Sequence, residues 1–488
     1  MTSKMHSPHP IRAILRQSWP VLVSQWASIS FGVLDTAMTG HSSPQDLAAL
    51  ALGVAVFITV FIGLMGVMHA LIPIQAQSYG ARRLDEIGKA WSQGIWVALI
   101  LTVFGATLMS FPDVWLSLSG PVDPVVRQLL SSYLFALTFG LPASLLFRTV
   151  YSLAQAVSRP KMIMMINLAG VAVKVFLNWV LIFGNLGMPA LGVEGAGIAS
   201  SIVYWLTLGV SLWWVWRDPF YRQFNLRLRW PDFKAIWEIL RLGLPMGASY
   251  VVEVSAFTFM ALLIAQEGTT VTGSHQITSN LAALCYMMPL AIGIATAAQT
   301  AQAIGSGDQL LAHRTGMTGL AVTLTGALIT AGVLFFAREQ IVAIYTSDPA
   351  VTTIALSLLV ILPFFHIIDA LHCANVYLLR AHKIAMVPLM IQTVTLTLIG
   401  LIGGWYLGFG PGRGLLEPLR QWVMPNAPAG AATMWLMAGL GLLTSGLLLH
   451  TWYRRIVLTK LNEYRHQQHS NQLSKDQSEY RTEHQTEH

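Results

Sequence analysis

Charge is scarce in this chain. Of 488 residues, 10% are Asp, Glu, Lys or Arg, and 54% are hydrophobic. Soluble proteins carry about 25% charged residues, so the deficit excludes a soluble multidomain enzyme. Cysteine is nearly missing as well: Cys285 and Cys373 are the only two, and both sit in apolar segments. Two cysteines build no disulfide framework and match no metal-ligand spacing, so small packing residues are the expected role. The N-terminus lacks a basic stretch followed by a short apolar core and a cleavage site, and no cleaved leader is expected.

What the chain has instead is apolar runs of about 18 residues or more, each long enough to cross roughly 30 Å of hydrocarbon. Twelve spans are expected, at about 14–38, 50–72, 91–111, 128–150, 162–184, 192–216, 244–266, 277–299, 315–337, 351–378, 384–407 and 431–453. The fold class is an all-α polytopic membrane protein. The loops are short, which leaves little room for a soluble domain.

The formal charge of +7 is distributed by topology, and no nucleic-acid partner is expected. Lys and Arg concentrate in cytoplasmic loops. Here they fill the even-numbered connections: Arg82, Arg83 and Lys89; Arg159 and Lys161; Arg217, Arg222, Arg227, Arg229, Lys234 and Arg241; Arg314; Arg380 and Lys383. Lys4, Arg12 and Arg16 at one end and Arg454, Arg455 and Lys460 at the other match them. Both termini are therefore expected in the cytoplasm. One basic residue fits no loop, tail or span end: Lys174, within "AGVAVKVFLNWVL".

An internal repeat appears at an offset of 225 residues. "SWPVLVS" at 18–24 matches "GLPMGAS" at 243–249, and "IQAQSYGA" at 74–81 matches "QTAQAIGS" at 299–306. Each half then holds six spans. An even number makes the halves parallel, related by an axis along the membrane normal, an arrangement common in secondary transporters. The expected division is an N-lobe over 1–216, a cytoplasmic linker over 217–243 and a C-lobe over 244–455. From 456 to 488 the chain turns polar without a periodic face and is expected to be disordered. Its histidines are expected to be solvated rather than metal-bound.

Four ionisable residues fall deep in the spans: Asp35, Lys174, Glu253 and Asp369. Each costs about 2.5–3.5 kcal/mol on insertion scales, and such residues face the interior or a water-filled cavity. Structural ion pairing is the alternative to a functional role. Asp35 shares the first span with Pro20, which removes a backbone donor and can bend the helix. Glu253 lies in the repeat counterpart of that span, at the position of Ser28, two turns from Asp35. Asp369 lies between His366 and His372, all near one helix face. Three acids without an extended basic lining predict a lumen that favours cations. Lys174 and Asn178 are four apart and share a face; Asp35, in the same half, is the expected partner of the lysine, with backbone carbonyls as the alternative. Trp26, Tyr204, Trp205, Tyr286, Met287 and Met288 are expected mainly to pack or face lipid, a minority lining a cavity for flat organic cations.

Four stretches together resemble the multidrug and toxic compound extrusion (MATE) transporters of the NorM-like branch: "VLDTAMTGHSSPQDLAALALG" (33–53), "LNWVLIFGNLGMPALGVEGAGIASSIVYW" (177–205), "GLPMGASYVVEVSAF" (243–257) and "SHQITSNLAALCYMMPLAIGIATAAQTAQAIG" (274–305). The resemblance covers about residues 10–455. It implies two six-helix lobes set as a V around a central cleft. It also implies export of amphipathic, mostly cationic organic compounds in exchange for Na⁺ or H⁺, without a cofactor, by a monomer in a bacterial inner membrane. Carried over by motif, Asp35 is the N-lobe acid, Pro20 its kink proline, and Asn178 and Ser200 its polar partners. Glu253 and Asp369 are the acids of a C-lobe cation site, where Na⁺ is a candidate ligand. The chain departs from the pattern twice. Phe365 stands where related sequences often have tyrosine, which removes a hydroxyl from the C-lobe site. Lys174 stands where an asparagine is common.

The function expected is alternating-access antiport in which drug and coupling cation compete for the acids. If Lys174 reaches Asp35, it stands in for a bound Na⁺, and the N-lobe has no Na⁺ site. A flippase for a lipid-linked precursor is the alternative within transport, but it would need several basic residues in its cavity. An intramembrane enzyme using His366 or His372 is the alternative outside it.

Overall fold

The computed structural model describes residues 10–116 and 123–485; Lys4 and residues 486–488 of the tail lie outside this range. Twelve helices among the described residues are long and apolar enough to cross a membrane. They are α1 (Pro10–Thr39), α2 (Pro44–Gly80), α3 (Leu84–Met109), α4 (Pro124–Ala156), α5 (Lys161–Leu181), α6 (Gly192–Arg217), α7 (Phe233–Glu267), α8 (Thr269–Gly305), α9 (Gln309–Phe336), α10 (Leu362–Ala381), α11 (Met386–Gly408) and α12, whose apolar span is Ala429–Tyr464.

Local chemistry explains the helix starts. Ser43 and Asp123 cap α2 and α4, each followed by a proline at the first helical turn, and Asp232 accepts from the amides of Lys234 and Ala235 to start α7. These caps satisfy amides that have no partner inside the helix. Two carboxylates cap helices other than their own. Asp46 accepts from Val193 N at 3.1 Å, tying the first turn of α2 to the start of α6. Glu267 accepts from Gly430 N at 2.8 Å and Ala431 N at 2.7 Å at the start of α12. Helices α6 and α12 are repeat partners, so both lobes brace the sixth helix in the same way.

Three expectations are corrected. The span expected at 351–378 is two helices, Pro349–Leu358 and α10, with a turn at 359–361; Pro363 starts the second because it lacks the amide an interior position would need. The linker expected at 217–243 is shorter: α6 ends at Arg217 and α7 starts at Phe233, capped by Asp232, which leaves 218–232 between the lobes. The tail expected to be disordered is helical, because α12 continues to Gln485. No proline or glycine interrupts residues 461–485, and the segment is rich in Gln, Glu, Lys and Arg, which favour helix.

The repeat is visible in the packing. A Cβ on Gly80 would lie 1.8 Å from the Gln302 carbonyl oxygen, and one on Gly305 would lie 1.9 Å from that of Gln77. Gln77 Nε2 donates to the Ala381 carbonyl at 2.9 Å, and Gln302 Nε2 donates to the Ala156 carbonyl at 2.6 Å. Each pair of equivalents is 225 residues apart, so the two lobes clasp one another about a pseudo-two-fold axis. Within the lobes, Asn167 Nδ2 donates to Ser24 Oγ at 2.6 Å, and their equivalents Gln392 and Ser249 are also hydrogen-bonded.

The lobes share a core only at the end that carries the basic loops. Ile236, Ile239, Leu242 and Met246 of α7, and Leu290 to Ala301 of α8, pack into clusters made otherwise mainly of N-lobe residues. Gly243 and Gly247, spaced as G-x-x-x-G, let α7 touch the α2 backbone near Gly63 and Val67, the close approach that small residues permit between membrane helices. Further out, Met260, Ile264, Val271, Ile277 and Leu281 cluster with C-lobe residues alone. The two lobes therefore meet at one end and part towards the other, forming a V around a central cleft.

Candidate functional site

The N-lobe site is built by the outer end of α1 and by α5 and α6. Lys174 lies seven residues before the end of α5, about 10 Å along the axis, too deep to reach water by extension of its own stem. It is 1% exposed and Asp35 is 4% exposed. Lys174 Nζ lies 2.8 Å from Asp35 Oδ1. It also donates to the Ala196 carbonyl at 3.0 Å and to Ser200 Oγ at 2.5 Å. An ammonium has three donors, and all three are used. Asn178, one turn after Lys174, donates from Nδ2 to Asp35 Oδ1 at 2.8 Å. Ser200 lies 3.4 Å from Asp35 Oδ2 and 2.9 Å from the Ala196 carbonyl; its single proton serves one of these at a time. The structure thus brings Asp35, Lys174, Asn178 and Ser200 into one cluster. Pro20 lies on the same helix as Asp35, buried inside α1.

The C-lobe site is built by α7, α8, α10 and α11. Glu253 lines a small pocket together with Tyr250, Tyr286, His372, Tyr377, Arg380 and Gln392. Tyr286 is a hydrogen-bond partner of the Glu253 carboxylate. Asp369, 7% exposed, is close enough to Glu253 for the two charges to repel. Neither acid has an ion-pair partner within 4 Å among the described residues. His372 Nε2 meets Gln392 Nε2 at 2.9 Å, and His366 Nε2 is buried without a partner. Phe365 packs edge-on against Phe257 and Trp435, with ring centroids 6.1 Å and 5.1 Å apart. Its ring is committed to this aromatic packing.

Two arginines missed as site residues also lie at the junction of the lobes. Arg380, 3% exposed, donates to Tyr250 Oη at 2.8 Å and to Ser249 Oγ at 3.4 Å. Its guanidinium lies 4.6 Å and 5.0 Å from the Tyr250 and Tyr377 ring centres, stacking that favours a desolvated cation. Tyr250 Oη also meets Tyr377 Oη at 2.5 Å and His69 Nδ1 of the N-lobe at 3.3 Å. Arg148 lies inside α4, eight residues from its end, with Phe61 and Tyr151 ring centres 5.5 Å and 5.3 Å away. The expectation that Lys174 is the only basic residue inside the spans is corrected. Helix α4 runs further than its hydropathy indicates, because nothing breaks it: no proline or glycine lies between Arg148 and Ser158. That uninterrupted run was the available signal for Arg148.

Twelve spans in two clasped, repeat-related lobes, with carboxylates buried beside the cleft between them, define a secondary transporter. The MatE family model matches residues 20–180 and 245–406, two segments that start 225 residues apart. A probable multidrug resistance protein NorM of Aromatoleum aromaticum is 38% identical over 404 residues, 82% of this chain and 87% of its own length. One from Neisseria meningitidis is 34% identical over 436 residues, 87% of this chain and 93% of its own. The Vibrio cholerae MATE transporter VcmN in its bent form superimposes with a TM-score of 0.81 at 17% identity, over 93% of this chain and 98% of its own. The eukaryotic MATE transporter AtDTX14 gives 0.81 at 20% identity, over 93% and 99%. The chain belongs to the MatE family, and it is a multi-pass membrane transporter.

Proposed function

We propose that the protein is a cation-coupled multidrug antiporter that exports amphipathic, mostly cationic organic compounds from a bacterial cytoplasm. The relatives' names support the multidrug reading. The observation that carries the coupling reading is a difference among the three buried carboxylates. Asp35 holds a covalently tethered cation, the Lys174 ammonium. Glu253 and Asp369 have no ion-pair partner within 4 Å among the described residues; Arg380 lines the same cavity as Glu253 without pairing with it. A carboxylate without a resident counter-ion is free to exchange a proton, Na⁺ or a drug ammonium, and exchange is what coupling by competition requires.

In this reading Glu253 and Asp369 bind the coupling cation, H⁺ or Na⁺, and the substrate in turn. Lys174 occupies the N-lobe position that a free cation would take, so the N-lobe has no Na⁺ site. The end with the basic loops faces the cytoplasm of the inner membrane, with both termini on that side. The V is then open outward, and the protein acts as a monomer.

Dye binding tests the proposal. Detergent-solubilised protein is expected to bind an ethidium-like cation and to release it when Na⁺ is added or the pH is lowered. The Glu253→Gln, Asp369→Asn double variant is expected to bind the dye more weakly, and what binding remains is expected to be insensitive to Na⁺ and pH. Dye that stays bound to the wild type under both conditions removes the coupling scheme.

A further inference from the structure

The connection between the lobes carries aromatic side chains that the fold leaves uncovered. Its main chain is held against α3. Arg229 N donates to Ser92 Oγ at 2.8 Å, Gln93 Nε2 donates to the Trp230 carbonyl at 3.0 Å, and Trp96 Nε1 donates to the Arg229 carbonyl at 2.9 Å. Asp232 N donates to Gln93 Oε1 at 2.9 Å. With its backbone fixed, the segment turns rings outward: Trp230 is 90% exposed, and Phe233 and Trp237 in the first turns of α7 are 83% and 61% exposed. Ile236 and Ile239 point the other way, into a cluster made mainly of N-lobe residues.

Basic residues share this face. Phe233, Trp237 and Arg241 follow one another at four-residue steps, and Lys234 precedes Arg241 by seven, so all four lie on one side of α7. Lys234 and Arg241 are exposed and have no ion-pair partner among the described residues. The neighbouring carboxylates are engaged elsewhere. Asp232 caps α7, and Glu238 lies 3.6 Å from Lys383 Nζ. Uncovered indole and phenyl rings at the end of a membrane helix sit at the level of the lipid headgroups, and basic residues at that level attract anionic lipids. A free anion would use the two charges and leave the three rings in water. A lipid without net charge would use the rings and leave the charges unmatched. A phospholipid with a net negative headgroup uses both.

We propose that Trp230, Phe233, Lys234, Trp237 and Arg241 form a binding face for an anionic phospholipid of the phosphatidylglycerol type. Its phosphate lies on Lys234 and Arg241, and its glycerol and upper acyl chains lie against the rings. Arg241 is twelve residues before Glu253, about 18 Å along α7, so this face is distinct from the C-lobe acids. Helix α7 packs on α3 of the N-lobe, the same helix that holds the connection. The bound lipid therefore braces the two lobes at the end where they meet. The inference stands whichever cation drives transport.

The test follows thermal unfolding of the full-length protein in a neutral detergent while phosphatidylglycerol, phosphatidylcholine or inorganic phosphate is added. A ligand of the folded state raises its melting temperature. Wild type is expected to be stabilised by phosphatidylglycerol, much less by phosphatidylcholine and not by phosphate. The Lys234→Gln, Arg241→Gln double variant is expected to melt like wild type in detergent alone, and to need roughly thirtyfold more phosphatidylglycerol for the same shift, the weight of two basic residues beside an anionic headgroup. Lys234→Arg, Arg241→Lys keeps both charges and is expected to respond as wild type does. So is Arg454→Gln, Arg455→Gln, which removes another exposed basic pair. Trp230→Ala, Trp237→Ala is expected to weaken the response to phosphatidylglycerol. Equal stabilisation by phosphatidylcholine overturns the anionic specificity, and equal stabilisation by phosphate overturns the lipid. A loss of equal size in the Arg454 and Arg455 variant shows diffuse surface charge and overturns the site, as does a wild-type response in K234Q R241Q or a lost response in the charge-keeping variant.

Discussion

Lys174 is where physical cost and local geometry meet most tightly. Burying an ammonium beside a carboxylate is tolerated because every donor of the one finds an acceptor, including Ala196 O and Ser200 Oγ. Removing one partner of a buried pair strands the other and typically costs 3–5 kcal/mol, about what Lys174→Met is expected to cost here, whereas replacing both partners is often close to neutral. The double variant Asp35→Asn, Lys174→Met is therefore expected to recover most of the loss. Thermal unfolding of the four proteins in detergent checks this as a double-mutant cycle; independent, additive losses would show that the pair is not the unit described here. The pair was legible in the sequence because a lysine inside "AGVAVKVFLNWVL" has few ways to be satisfied, and Asp35 was an acid in the same half. Arg148 and Arg380 were not legible. Each stands near the end of an apolar run, where an arginine ordinarily extends into water; α4 continues eight residues past Arg148, and Arg380, one residue from the end of α10, is buried by its packing against Tyr250 and Tyr377.

At the scale of helices, the repeat proved the most informative signal. Its matched Gly80 and Gly305 are the residues through which α2 and α8 cross, each against the backbone of the other. A methyl group at either position has nowhere to go, since the neighbouring atom is a carbonyl rather than a flexible side chain. Overpacking of this kind costs about 1–3 kcal/mol. Gly305→Ala is expected to lower the melting temperature and to weaken transport, because the clasp lies between the lobes. A melt at or above wild type would show that the crossing is looser than these distances imply. The element boundaries were read less well. Hydropathy merged the helix Pro349–Leu358 with α10, since both are apolar and the turn between them is only three residues long. It also ended α12 too early, because a polar helix and a polar coil have the same hydropathy.

Over the whole molecule, the V follows from where the apolar surface is shared. The ends of α7 and α8 near the basic loops are packed into clusters with the N-lobe, whereas the outer C-lobe cluster is its own. Alternating access then requires the contacts at the closed end, His69 with Tyr250 and the Gln77 and Gln302 clasps, to part while contacts form at the other end. In the proposed scheme, the carboxylates without an ion-pair partner decide which gradient drives that exchange. The most direct test is uptake of a cationic dye into inside-out proteoliposomes under separately imposed Na⁺ and proton gradients. Wild type is expected to respond to at least one of them, and the Glu253→Gln, Asp369→Asn double variant to neither. Full gradient-driven transport by the Glu253 and Asp369 double variant would contradict the account, because the coupling cation would then bind elsewhere.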